Sequence, residues 1–300
     1  MAKAIALTEA LAMVERAEVV DAQRLEERAA DLAGNPMESE AGLTELAIRC
    51  TDLTSLSEDD TSEKIADLCA TAIRPDPADT STPSVAAVCV HPDFVPTAVD
   101  ALAGSPVKVA AVAGGFPTGA APRAEKMDEI RRVLDLGADE VDMAMNRSAF
   151  LAGEYGATFD EVAAAKKICR DAPLKVILET GALGSYDEIS KATVLVMAAG
   201  ADFVKTSTGK TAPGASPPVA LCIMDAIRDA QDELGGKVGV KASGGVREAE
   251  TARAYVRLVH GALGPEWMHP ARFRIGASSL LDDLVREVRR ERSAKAQGRC

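Results

Sequence analysis

The amino-acid sequence predicts an α/β protein, a (β/α)₈ barrel with an N-terminal helical extension. Eight short apolar runs alternate with longer amphipathic segments over about 240 residues, as parallel strands and crossover helices require. Charged residues stand at the ends of several runs, where such a barrel places its chemistry. An open doubly wound sheet is the alternative with similar content. No GxGxxG motif follows the first run, which disfavours the dinucleotide-binding form of that alternative.

The segment before the barrel predicts an appended helix. Residues 7–33 place Leu, Ala and Val among charged residues with rough helical periodicity, and a Gly-Asn-Pro cluster ends the pattern. The segment carries no chemical constellation, so we expect it to pack on the outside of the barrel or on a partner subunit. The predicted organisation is a helical extension over 1–45, a catalytic barrel over 46–290 and a C-terminal tail over 291–300.

The strands and helices of the barrel follow from short apolar runs and from 3.6-residue periodicity. The predicted strands are 48–53, 85–90, 107–112, 140–145, 174–179, 203–206, 238–242 and 273–276. The clearest helical patterns are 123–136, 159–171, 186–199, 219–234 and 246–263. Gly137 and Gly200 directly follow two of these patterns, as expected at helix C-termini.

Polar side chains at the carboxyl ends of the predicted strands are the candidates for chemistry. They are Asp52, Cys89, His91, Asp142, Glu179, Thr180, Lys205, Lys241, Ser278 and Ser279. The alternation of residues along each strand places Asp142, Lys205 and Lys241 on the face opposite their apolar neighbours. These three side chains are therefore predicted to converge on the barrel axis. Cys89 is predicted to be a small buried hydrophobe, and His91 a supporting residue rather than an acid or base.

Two lysines and a carboxylate at one barrel mouth are suited to imine chemistry. A like charge and loss of hydration both lower the pKa of a lysine, and a neutral amine attacks a carbonyl carbon. A second lysine that stays protonated supplies the like charge, and a carboxylate moves the protons. The alternative is a structural salt-bridge network of Lys205 and Lys241 with Asp142 or Asp52. The Gly-rich sequences after both lysines, KTSTGK and KASGGVR, favour the catalytic interpretation.

Those Gly-rich sequences predict a phosphate site. Glycines allow backbone N–H groups to approach an anion, and this fold often binds phosphate with the loops after strands seven and eight. The candidate residues lie after strands six, seven and eight: Gly209, Lys210, Gly244, Gly245, Val246, Arg247, Gly276, Ser278 and Ser279. Lys210 and Arg247 would supply the local positive charge that draws a small phosphorylated ligand.

The composition excludes several classes of partner. The net charge is −12 and aromatic residues make up 3% of the chain, which argues against nucleic acid and against a membrane surface. The longest nearly apolar run, 192–201, is about half the length of a bilayer-spanning helix. Six cysteines without a CxxC pair, and no secretory-type apolar stretch at the start, predict free thiols in the cytoplasm. Cys300 is expected to be incidental.

Seven segments closely resemble one enzyme family. They are TDLTSL, VAAVCVHP, GADEVDMAMN, LKVILETG, ADFVKTSTGK, VGVKASGGVR and RIGASSLLDDL. Across residues 46–284 the sequence is similar to the 2-deoxyribose-5-phosphate aldolases. The resemblance implies an imine-forming aldolase of deoxyribose phosphate catabolism that needs no metal and no cofactor. Such an enzyme reversibly cleaves 2-deoxy-D-ribose 5-phosphate to D-glyceraldehyde 3-phosphate and acetaldehyde.

The resemblance also implies a role for each matching residue. Lys205 matches the imine-forming lysine, Lys241 the lysine that lowers its pKa, and Asp142 the proton-transferring carboxylate. Asp52 matches an acidic residue near the substrate hydroxyls. Thr206 and the glycine-rich positions after strands six to eight match substrate-contacting residues. The tail lacks the terminal Tyr of some relatives, so no tail-assisted proton transfer is implied.

Two other functions remain open at this point. One is an imine-forming aldolase for a different sugar phosphate, because the phosphate loops define only one end of the ligand. The other is a catalytically silent sensor of sugar phosphates, which the filled catalytic positions disfavour. We expect a small phosphorylated sugar as the substrate and a homo-oligomer, dimer or tetramer, as the assembly.

Overall fold

The computed structural model describes residues 5–17, 19–37 and 39–298. Within them, eight parallel strands close into a barrel in chain order, each paired with the next and the last with the first. The strands are β1 (Thr51–Thr54), β2 (Ala87–Val90), β3 (Lys108–Ala113), β4 (Glu140–Ala144), β5 (Leu174–Ile177), β6 (Phe203–Lys205), β7 (Gly239–Ser243) and β8 (Phe273–Ala277). The structure confirms the predicted (β/α)₈ TIM barrel.

Helices alternate with the strands and cover the outside of the barrel. In chain order they are α1 (Leu7–Arg16), α2 (Ala22–Gly34), α3 (Leu43–Arg49), α4 (Ser62–Ile73), α5 (Val95–Ala101), α6 (Arg123–Asp135), α7 (Arg147–Leu151), α8 (Tyr155–Cys169), α9 (Tyr186–Ala198), α10 (Pro217–Leu234), α11 (Ala249–Leu263) and α12 (Leu281–Ala296). In the described ranges, five begin at a side-chain cap that accepts a backbone N–H: α2 at Asp21, α4 at Thr61, α7 at Asn146, α9 at Ser185 and α10 at Ser216. No helix in the described ranges is long and apolar enough to cross a membrane.

Successive residues along each strand alternate between two environments. Outward residues such as Val141, Val204 and Val240 are fully buried in the main apolar core beneath the helices. The inward faces of β2 and β3 carry small or apolar residues that form a second cluster with Leu56 and Phe116; they are Ala87, Cys89, Ala110 and Val112. The inward faces of β1 and of β4 to β8 carry charged residues instead. The barrel interior therefore has an apolar side and a charged side.

Two sequence predictions are wrong at the N-terminal side. A strand was predicted over 48–53, but Ile48 and Arg49 belong to α3 and the strand begins at Thr51. Leu43, Ala47 and Ile48 are buried on one face of this short helix, and burial alone does not separate a helix from a strand. The single helix predicted over 7–33 is two helices, because Asp21 accepts the Arg24 N–H and begins α2 anew.

The N-terminal helices pack against their own barrel. Arg28 of α2 makes a two-pronged ion pair with Asp225 of α10, at 2.8 and 3.0 Å. Arg257 of α11 contacts both carboxylate oxygens of Glu40, at 3.1 and 3.0 Å. At the other end of the chain, α12 continues to Ala296, beyond the predicted start of the tail.

The barrel contains a glycine that cannot gain a side chain without disturbance. A Cβ on Gly239 would lie 2.4 Å from the Phe203 ring and 2.8 Å from the Arg272 carbonyl oxygen. We expect Gly239→Ala to lower the free energy of unfolding by about 2 kcal/mol or more, because the backbone cannot yield as a side-chain tip can. Urea unfolding measures this change. Gly34→Ala is the control, since its Cβ would meet nothing within 4 Å; equal stability of the two variants would contradict the prediction.

Candidate active site

Seven charged side chains fill one side of the barrel interior. Each is at most 5% exposed. They are Asp52 of β1, Glu140 and Asp142 of β4, Lys175 of β5, Lys205 of β6, Lys241 of β7 and Arg274 of β8. Buried charges persist only when ion pairs and hydrogen bonds replace their lost hydration. The partners of each group therefore decide what the site can do.

The lower part of the cluster is a closed set of ion pairs. Arg274 lies 2.6 Å from Asp52 and 2.7 Å from Glu140. Lys175 lies 2.6 Å from Glu140 and 2.8 Å from Asp142. Glu140 thus bridges Arg274 and Lys175, and every carboxylate of the cluster has at least two cationic neighbours. This part of the cluster supports the upper part, where the strands end.

The upper part converges on one carboxylate oxygen. Asp142 Oδ2 accepts from Lys205 Nζ and from Lys241 Nζ, each at 2.7 Å. Lys241 also donates to Asp52 Oδ2 at 2.5 Å. The buried Cys89 thiol lies 3.9 Å from the same Asp142 oxygen, as a weak donor. The three side chains predicted to meet on the barrel axis, Asp142, Lys205 and Lys241, are brought together.

The number of charges makes one lysine easy to deprotonate. Four cationic groups share three carboxylates in this buried cluster. Burial lowers the pKa of Lys205, the nearby Lys241 charge lowers it further, and Asp142 opposes both effects only in part. Burial also acts against the charge of Lys241, but Asp142 and Asp52 outweigh it and raise the pKa of Lys241. Lys205 is therefore the lysine of this cluster that loses its proton most readily, while Lys241 holds its proton more tightly.

The remaining groups keep their charge. Burial opposes the charge of Lys175, but Asp142, Glu140 and Asp52 together raise its pKa. The pKa of Asp142 lies well below its ordinary value, because three lysines overcome the cost of burial. Asp142 is thus an anion that accepts hydrogen bonds from the three lysine amines around it.

Sequence reasoning missed three members of this cluster, Lys175, Glu140 and Arg274. They lie within or at the start of strands, whereas the predicted candidates lie at strand ends. The alternation argument that located Asp142 applies to them, because Lys175 stands between Leu174 and Val176, and Arg274 between Phe273 and Ile275. A search of every inward position would have found them.

A cavity of about 520 Å³ opens above Lys205. The loops after β1, β6, β7 and β8 surround it, and eight of the predicted phosphate residues line it: Gly209, Lys210, Gly244, Gly245, Val246, Arg247, Gly276 and Ser278. Ser279 is exposed beside these residues and is not part of the lining. Thr206 is fully buried below the cavity, where its hydroxyl donates to the Ser243 carbonyl and accepts from the Ser243 N–H.

The rim of this cavity is locally positive in an acidic protein. Lys210 donates to the Leu56 carbonyl at 2.5 Å, and Arg247 is exposed at the start of the segment that leads to α11. Lys64 of α4 also lines the cavity and pairs with Asp60 at 2.8 Å; sequence reasoning did not single it out. Cations around a concave site concentrate anionic ligands there. His91 lies in this region too, with Nε2 3.2 Å from the Leu56 carbonyl oxygen.

Comparison with known proteins agrees with this geometry. Residues 46–285 match the family model described as DeoC/LacD family aldolase. The chain belongs to the DeoC/LacD aldolase family. A human protein named deoxyribose-phosphate aldolase is 41% identical over 287 residues, covering 92% of this chain and 87% of the relative. The mouse protein of that name is 44% identical over 252 residues, covering 81% and 79%.

A solved structure supports the same assignment. The deoxyribose phosphate aldolase of Aeropyrum pernix, described as having a unique tetrameric structure, is 27% identical and superposes with a TM-score of 0.64. The match covers 90% of this aldolase and 99% of that chain. Within the residues that the structure describes, no group of three or more His, Cys, Asp or Glu side chains is arranged to hold a metal ion.

Gly276 of this aldolase makes room for Lys241. A Cβ at Gly276 would lie 2.8 Å from Ser243 Cβ and 3.0 Å from Lys241 Cε. We expect Gly276→Ala to displace the Lys241 amine from Asp142 and to lower kcat about tenfold or more, since small shifts of catalytic groups are costly. Steady-state aldolase assays measure the change. Gly156→Ala in α8 is the control, because its Cβ would make only an ordinary 3.6 Å contact; full turnover by Gly276→Ala would refute the steric argument.

Proposed function

We propose that this chain is an imine-forming aldolase that reversibly cleaves 2-deoxy-D-ribose 5-phosphate to D-glyceraldehyde 3-phosphate and acetaldehyde. The observation that carries the proposal is Lys205, a buried amine with a lowered pKa at the base of a cavity with a positive rim. The names of the human and mouse relatives support the substrate. The reaction belongs to the breakdown of deoxyribose phosphates.

The chemistry begins with attack of the neutral Lys205 amine on C1 of the open-chain sugar. The resulting carbinolamine loses water to give a protonated imine, which draws electrons from the C2–C3 bond. Loss of the C3 hydroxyl proton forms a carbonyl at C3 and breaks that bond, releasing the phosphorylated aldehyde. The C2 carbon of the remaining enamine takes up a proton. Water then hydrolyses the imine, which frees acetaldehyde and regenerates the Lys205 amine.

Asp142 and Lys241 transfer the protons that these steps release and consume. Asp142 Oδ2 touches both amines at 2.7 Å, so a proton that leaves one group can pass to the other. The Lys241 ammonium keeps the pKa of Lys205 low between turnovers. Asp52 binds Lys241 and Arg274 and does not line the cavity, so we assign it to holding Lys241 rather than to contacting the sugar hydroxyls.

The phosphate end of the substrate would bind at the rim. The loops after β6, β7 and β8 present glycine backbone near Lys210 and Arg247, which suits a phosphate dianion. Lys205 and the rim residues line the same cavity, so one sugar phosphate can contact both. Ala87 and Ala110, on the apolar side of the interior, offer no side-chain hydrogen-bond donor to the small aldehyde.

The assembly and location belong to the same proposal. We propose a homo-oligomer, dimer or tetramer, in the cytoplasm, with residues 1–45 as an extension of a barrel over 46–290 and a tail over 291–300. The tetrameric Aeropyrum pernix relative supports an oligomer. Five cysteines in the described ranges are buried free thiols, in keeping with a reducing compartment; Cys300 lies outside those ranges.

Trapping of the imine tests the mechanism directly. We expect borohydride with acetaldehyde to form a reduced adduct on Lys205, detected by mass spectrometry of the digested protein. Lys205→Met removes the amine that is proposed to form the imine, so it should abolish both the adduct and turnover. Lys237→Met is the matched control, since Lys237 is a half-exposed lysine paired with Glu266. An adduct that persists in Lys205→Met would defeat the assignment, and binding without any adduct or turnover in wild type would indicate a sensor.

The pH profile tests the role of Lys241. Because the attacking amine must be neutral, activity rises with pH as Lys205 loses its proton. Removing the Lys241 charge takes away a group that lowers the pKa of Lys205 and leaves Asp142 free to raise it. Lys241→Met is therefore expected to shift the acidic limb of the kcat/KM profile to higher pH. Lys241→Arg keeps the charge and should hold the limb near its wild-type position; an unmoved limb in Lys241→Met would exclude this role.

A further inference from the structure

Glu179 is buried near the site but takes no part in the lysine cluster. It is 3% exposed and follows β5 in a left-handed backbone conformation, with φ 55° and ψ 61°. Only one other non-glycine residue in the described ranges, Arg170, has a positive φ. L-residues with a full side chain rarely adopt this conformation, and it persists where the surroundings impose it.

The flanking backbone fixes that conformation. The Leu178 N–H donates to the Lys205 carbonyl at 3.0 Å, and the Thr180 N–H donates to the Thr206 carbonyl at 2.9 Å. Glu179 therefore lies between two bonds to the chain that leaves β6. The left-handed conformation between those bonds directs the Glu179 side chain toward the loop that follows Lys205 and Thr206.

The Glu179 carboxylate is bound by one residue of that loop. Its oxygens accept the Thr208 N–H at 3.3 and 3.4 Å, and one of them accepts the Thr208 hydroxyl at 2.5 Å. The Thr208 hydroxyl hydrogen is therefore directed at this carboxylate. The hydroxyl oxygen is then left to accept the Lys210 N–H, at 3.1 Å. The carboxylate thus sets the donor direction in a chain of hydrogen bonds from Lys210 through Thr208 to Glu179, which we call the relay.

The loop bound in this way carries residues of the candidate phosphate site. Thr208, Gly209 and Lys210 all line the cavity above Lys205. Gly209 has φ 79°, which sets the direction in which the chain passes the rim. The Lys210 ammonium extends across the rim and donates a hydrogen bond to the Leu56 carbonyl. A change at Thr208 would alter this loop without touching the Asp142, Lys205 and Lys241 contacts.

We propose that Glu179 is a positioning residue for phosphate recognition, acting through Thr208 on the loop 208–210. The inference rests on the proposed function and adds to it the group that shapes one wall of the anion site. Glu179 itself does not contact the ligand. Its effect should appear with a phosphorylated substrate and not with the same sugar lacking phosphate.

Kinetics with two substrates test the inference. We expect Thr208→Val and Glu179→Ala to raise KM for 2-deoxyribose 5-phosphate about tenfold, the effect of losing one strong hydrogen bond. For unphosphorylated 2-deoxyribose, KM and kcat should stay near wild type, as should borohydride trapping of acetaldehyde on Lys205. Thr208→Ser keeps the hydroxyl and should restore the wild-type KM. Equal losses with both sugars, or no loss with either, would overturn the proposal.

Controls separate this test from folding and from the proposed function. Thr211→Val and Glu188→Ala change exposed or partly exposed residues outside the relay and should behave as wild type. If Glu179→Ala does not fold, Thr208→Val alone decides, since it removes only the hydroxyl. Wild-type protein without cleavage of 2-deoxyribose 5-phosphate would refute the proposed function. Calorimetry with inorganic phosphate would then test the loop: weaker binding by Thr208→Val supports the inference, and unchanged binding refutes it.

Discussion

The buried carboxylate of Asp142 is the interaction on which the site depends. Lys175, Lys205 and Lys241 all donate to it inside a barrel that excludes water. Removing this carboxylate would leave three buried ammonium groups with fewer partners. The free-energy cost of such uncompensated buried charges is much larger than the stabilisation that an exposed ion pair provides. The shared anion also makes the lysines unequal. Lys205 has Asp142 as its single carboxylate partner, whereas Lys241 has two, and this asymmetry selects the amine that loses its proton.

The rest of the barrel accommodates this cluster. Long charged side chains fit because other inward positions are small: Ala87 and Ala110 on the apolar side, and Gly239 and Gly276 beside the charged residues of β7 and β8. Arg274 and Glu140 fill the lower layer and keep Lys175 paired, so the upper lysines rest on a fixed support. In most barrels of this type, packed aliphatic layers give that support. Here ion pairs provide it, and their geometry is therefore part of the chemistry.

The sequence was sufficient to predict the fold and the convergence of Asp142, Lys205 and Lys241, because strand alternation is a local property that the neighbouring apolar residues reveal. It was insufficient where the outcome depends on packing. Ile48 is equally apolar in a strand and in the short helix that contains it. The role of Thr206 as a link between β6 and β7, and that of Glu179 as a partner of Thr208, depend on contacts across 37 and 29 residues. No local pattern encodes such contacts.

The structure separates the reaction from the recognition of the substrate. The amines lie on strands, where ladder hydrogen bonds and buried ion pairs hold them within a narrow range of positions. The groups that would bind phosphate lie on loops, where a single relay such as Glu179, Thr208 and Lys210 sets the shape of one wall. Substitutions in such loops can change the ligand without disturbing the pKa of Lys205. The lysine cluster is therefore suited to imine formation in general, and the rim would distinguish phosphorylated from unphosphorylated sugars.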